Sequence, residues 1–127
     1  MKKTIITILA AISIFGFTVT EAQASTWHKG MPKKMRGTWK VPHDKIFHSG
    51  AKIGKNYYHF CANDPDYLNN TKYKYLGNKI YKINGYEPFY TKERVNRYIK
   101  LVSNKHMKVS FNTNFKKSNS PLTMYKK

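Results

Sequence analysis

The chain has 127 residues, with 24 Lys and Arg against 6 Asp and Glu and a formal net charge of +18 at pH 7. That length holds one domain with a modest core, and a single cysteine, Cys61, excludes an intramolecular disulfide framework. Charge of this density costs stability by self-repulsion and brings long-range attraction to polyanions; it speaks against an inhibitor of a basic partner enzyme, which would carry the opposite sign.

Residues 1–24 read as a cleavable secretory signal peptide. Lys2 and Lys3 precede an apolar run from Ile5 to Val19, and Ala22-Gln23-Ala24 places small side chains before Ser25. The run is short for a membrane span of roughly 20 residues, and it contains Thr7, Ser13 and Gly16. Cleavage after Ala24 removes Lys2, Lys3 and Glu21, leaving 22 basic and 5 acidic side chains and a net charge of +17. The expectation is a protein secreted or held at the cell surface, without a transmembrane span after processing, and monomeric.

Residues 25–36 form a basic arm with Lys29, Lys33, Lys34 and Arg36 around Pro32. From Gly37 to Lys127 a single mainly β domain is expected, a small antiparallel sheet or barrel of about six strands. Thr38, Trp39 and Val41 are strand formers that Pro42 stops. Over residues 55–62, a period of two puts Tyr58, Phe60 and Ala62 on one face and Tyr57, His59 and Cys61 on the other, with Cys61 a small buried thiol. Asn63-Asp64-Pro65-Asp66 is a turn cluster. Tyr73 to Leu76 and Lys79 to Ile83 flank Gly77-Asn78 as a hairpin, which Asn84-Gly85 closes. In 91–103, Val95, Tyr98, Ile99 and Val102 recur at helical spacing, Thr91 can cap and Glu93 can pair with Arg97, which predicts one short amphipathic helix; Tyr98 to Val102 would also serve as a strand. Met107, Val109 and Phe111 alternate as a half-buried strand, and Leu122 to Tyr125 form the last one.

Arg36-Gly37-Thr38-Trp39 resembles the Gly-x-Trp start of the first strand of lipocalin-like barrels. The wider stretch from Met31-Pro32 to Trp39 is similar to uncharacterised small secreted proteins of lactobacilli and related bacteria. The barrel resemblance implies that Gly37 permits close packing and that Trp39 closes one end. It also implies a basic side chain from the last strand stacked on that tryptophan, a role that falls here to Lys116 or Lys126.

The expected function is non-catalytic binding of an anionic cell surface or extracellular polyanion: cell-wall polymers, anionic lipid or glycan, and nucleic acid only outside the cell. Beyond Glu93 the chain has no acid, so the contacts are sought among Arg94, Arg97, Lys100, Lys105, Lys108, Lys116 and Lys117. Aromatics interleaved with these cations can stack on sugars or bases, although most are expected in the core. A second reading is a barrel with an apolar ligand pocket near Trp39. A third is a small secreted ribonuclease, with Glu87 or Glu93 as general base, His106 as general acid and Arg94 or Arg97 for the phosphate. His43, His48, His59, His106 and Cys61 do not match the spacing of a metal motif, and no pattern implies a cofactor.

Overall fold

A computed structural model describes residues 26–127. The signal peptide assigned to 1–24 lies outside the described residues. Nine strands follow in chain order: β1 (His28–Lys29), β2 (Gly37–Lys40), β3 (Gly50–Ile53), β4 (Tyr57–Cys61), β5 (Asp66–Gly77), β6 (Ile80–Glu87), β7 (Glu93–Ser103), β8 (His106–Ser110) and β9 (Leu122–Lys126). From β2 to β9 each strand pairs antiparallel with the next. The circle closes where Trp39 and Lys40 meet Lys126 and Tyr125, so these eight strands form an up-and-down barrel and β1 is added outside on β5. Closure pairs every edge that an open sheet of this length would leave exposed. The expected count of about six is therefore corrected to eight around the barrel.

Alternation decides what faces inward. Trp39, Ala51, Tyr58, Leu68, Ile83, Ile99, Met107 and Met124 are buried along the axis. Met31 and Met35, from the stretch expected as a basic arm leading into the domain, complete that core. The chain reaches β2 through a 3-10 turn at Lys33–Met35, which plugs one end of the barrel. The connections 54–56, 78–79 and 104–105 lie at this plugged end. The longer loops 41–49, 62–65, 88–92 and 111–121 gather at the other end, because successive antiparallel strands reverse direction. No helix among the described residues is long and apolar enough to cross a membrane.

Four local expectations are corrected. The 91–103 stretch is strand, not helix: β7 bonds to β6 and β8, and its inward row is Val95, Arg97, Ile99 and Leu101. The helical spacing arose because a charged residue, Arg97, sits within that inward row and hides the period of two. Asn84-Gly85 does not end β6, which runs on to Glu87. Gly85 is instead a close approach, since a Cβ there would lie 2.7 Å from the Leu68 Cβ. Cys61 is exposed rather than buried, with its Sγ 3.3 Å from the Tyr67 hydroxyl. The hairpin turn is Asn78-Lys79, one residue later than expected, and both residues have positive φ, as a tight turn matched to strand twist requires.

Candidate functional site

Strand pairing sets three pairs of lysines directly opposite one another: Lys29 with Lys72, Lys74 with Lys82, and Lys100 with Lys108. Like charges in that position destabilise a sheet. They lie on the outer face of β1, β5, β6, β7 and β8. Trp27 sits over the same face half-buried, with the Lys72, Lys74 and Lys82 ammonium groups 4.9, 5.0 and 6.0 Å from its ring centroid. Each is within cation–π range, yet three ammonium groups around one indole repel each other strongly.

Beside this face is a cleft of about 700 Å³ whose lining includes Lys29, Arg36, Lys55, Lys72 and Arg94 and no acidic residue. Backbone geometry builds it. A bulge between Asn69 and Lys72 interrupts the β5–β6 register, and Asn70 there has φ 48°. Gly30 N–H donates to the Thr71 carbonyl at 2.8 Å, and Thr71 N–H donates to the Asn56 carbonyl at 3.1 Å. Arg36 is held by the Met31 carbonyl, which accepts from Nε at 3.1 Å and Nη2 at 2.9 Å. Arg94 is held by Asn84 Oδ1 at 2.5 Å and the Asn70 carbonyl at 2.8 Å. Both guanidinium groups are thus positioned by neutral acceptors and keep their charge uncompensated. Thr71 Oγ1, buried in the lining, has no hydrogen-bond partner.

The residues singled out beyond Glu93 are dispersed. Arg94 joins the cleft, and Lys100 and Lys108 face each other on the outer sheet. Lys105 is at the plugged end, and Lys116 and Lys117 are in the 111–121 loop. Arg97 is not on the outer face. Its Nε and Nη2 donate to both oxygens of Asp66 at 2.8 Å, the single ion pair among the described residues. Sequence reasoning missed Lys29, Arg36, Lys55, Lys72, Lys74, Lys82 and Trp27 as members of the basic face. The Lys-x-Lys spacing of Lys72 and Lys74 on a strand was the available signal, because it puts both on one side.

Other constellations do not assemble. Glu93 opens β7 at the loop end, whereas His106 opens β8 at the plugged end, so the length of β7, about 33 Å at 3.3 Å per residue, separates them. Glu87 is buried, and its carboxylate accepts from the backbone N–H groups of Phe89, Tyr90 and Thr91. His59 stacks on Tyr67 at 4.0 Å between centroids and its Nε2 lies 2.7 Å from Asn69 Oδ1; among the described residues no three His, Cys, Asp or Glu gather as metal ligands. The barrel axis around Trp39 is occupied by its own side chains, with Met31 and Met35 against it. The indole Nε1 donates to the Met35 carbonyl, and Lys126, not Lys116, lies over its ring, with Nζ 5.6 Å from the centroid.

A pocket of about 310 Å³ opens at the barrel mouth, among the long loops, where Phe60, Asp64, Asp66, Tyr90, Arg97 and Phe111 line it. All acids of the described chain, Asp44, Asp64, Asp66, Glu87 and Glu93, lie in the loop-end connections or on the strand residues that adjoin them. The plugged end, with Lys33, Lys34, Lys55, Lys79, Lys105 and Lys126, has none. The barrel is electrically polarised along its axis.

Compared with known proteins, the chain matches no family model, no curated protein and no solved structure at a significant level.

Proposed function

We propose that this is an exported, non-catalytic protein that holds an anionic polymer of the cell surface against the outer face of β1, β5 and β6 and the cleft beside it. The observation that carries this reading is the set of opposed lysine pairs around Trp27. Such pairs cost folding free energy when the face is empty and gain it back when a polyanion lies across them. A lysine placed only for solubility would be scattered among acids, and this face has none. The cleft supplies fixed guanidinium groups for an anionic substituent, and Trp27 supplies a flat apolar surface beside them.

The test is retention of the purified protein on anionic cell-wall preparations and on anionic liposomes across a salt series. Retention should fall steeply as ionic strength rises. Replacing Lys72, Lys74 and Lys82 together by Ser should abolish most of it, while replacing Lys116 and Lys117 should matter little. Salt-independent retention, or equal losses from the two sets, would refute the assignment.

A further inference from the structure

The mouth pocket has the opposite electrical character to the basic cleft. Two carboxylates, Asp64 and Asp66, line it against one guanidinium, Arg97. That guanidinium is already neutralised, because it donates to both oxygens of Asp66 within a pair whose side chains are 13% and 22% exposed. The unbalanced charge in the pocket is therefore Asp64. Tyr90 Oη donates to Asp64 Oδ1 at 2.5 Å, which orients the carboxylate and leaves its second oxygen to a ligand. Tyr90 is itself fixed from behind, since its backbone N–H donates to Glu87 at 2.9 Å. Most of the remaining lining is apolar or aromatic, with Phe60, Val109, Leu122 and Phe111, and Ser110 adds one hydroxyl. Phe111 is 74% exposed and lies over Arg97, with the guanidinium carbon 4.5 Å from its ring centroid. An aromatic so exposed gains from being covered.

We propose that the barrel mouth is a binding site for a small organic cation with an apolar body, in the class of arylalkylammonium ions. Asp64 is the counterion of the ammonium group, and Phe60, Tyr90 and Phe111 enclose the body and face the charge. The volume is at the lower end of the range of about 300–1,000 Å³ that ligand pockets occupy, so the ligand is compact. An organic anion is disfavoured, because the one cation in the pocket is paired and the incoming charge would meet Asp64. The inference is independent of the polyanion face, which lies on the outside of other strands.

Phenethylammonium and 3-phenylpropionate, alike in shape and opposite in charge, are the probes. Each is titrated into the purified protein at pH 7 and fixed ionic strength, with NMR shifts of Asp64, Tyr90 and Phe111 as the readout. The expected result is saturable shifts with phenethylammonium and binding at these residues at least about tenfold weaker for 3-phenylpropionate. Asp64→Asn, a change at an exposed position, should weaken phenethylammonium by about tenfold, whereas Lys82→Ser should leave it unchanged. Equal affinity for the two probes, an unaffected Asp64→Asn protein, or no shifts at the mouth at millimolar probe would each overturn the proposal. Surface retention is measured on the same variants, so a failure of one site is read separately from a failure of the other.

Discussion

The indole Nε1 of Trp39 donates to the carbonyl oxygen of Met35 at 2.8 Å, which ties the first barrel strand to the 3-10 turn that plugs the same end. One side chain therefore fills the axis and fixes the plug. Trp39→Ala removes both functions and should cost about 3 to 5 kcal/mol. Trp39→Phe keeps most of the bulk but leaves the buried carbonyl without that donor, at about 1 to 3 kcal/mol. Thermal melts should rank the proteins wild type, Phe, Ala in falling order, and an unchanged midpoint for the Ala variant would contradict this role.

Gly85 stands in the middle of β6 because β5 crosses it closely. A Cβ at this position would lie 2.7 Å from the Leu68 Cβ and 3.2 Å from the Asn69 carbonyl oxygen. Gly85→Ala, which in an ordinary strand would help, should here destabilise by about 1 to 3 kcal/mol through overpacking. Denaturant midpoints measure it. Gly77, where a side chain would meet open space but φ is 88°, gives a contrasting case in which only backbone strain is expected.

The lysine pairs predict a trade between stability and binding. Lys74→Glu converts the repulsive Lys74–Lys82 neighbours into an opposite-charge pair and should stabilise the fold at low salt by roughly 0.2 to 1 kcal/mol. The same change should weaken retention on an anionic surface. Melting and retention measured together would exclude the reading of a polyanion face if Lys74→Glu left retention intact.

Glu87 predicts the acid limb of stability. Burial works against its charge, but backbone N–H donors from Thr91, Phe89 and Tyr90 and the Thr91 hydroxyl outweigh it and hold its carboxyl below the ordinary range. The folded value being the lower one, its contribution is fully present above the unfolded-chain value of about 4.3 and is lost as pH falls through the folded value. Acid should therefore loosen the 88–92 loop and with it the orientation of Tyr90. Glu87→Gln should show that loosening at neutral pH and lose the pH dependence, which hydrogen exchange of the Thr91 and Tyr90 amides would report.

The two-face split of β4 and the alternation of Met107 and Val109 on β8 were legible from the chain alone, because side chains on a strand alternate whatever the strand pairs with. Which face of β4 turns inward, that of Tyr58 and Phe60, was not, and Phe111 lies beyond the end of β8 and is exposed. The mainly β class and the excess of cations were equally plain. Barrel closure was not, since the pairing of Trp39 with Lys126 joins residues from opposite ends of the domain and leaves no local mark. Gly50–Ile53 carries too few apolar residues to announce a strand, and in β7 the inward Arg97 masks the alternation because its partner, Asp66, is distant in the chain. The electrical polarity was also beyond reach of the sequence. Whether an acid lies at the loop end or the plugged end depends on how many strands precede it, so the separation of the carboxylates from the lysine face, and the sign of the mouth pocket, were decided only when the eight strands closed.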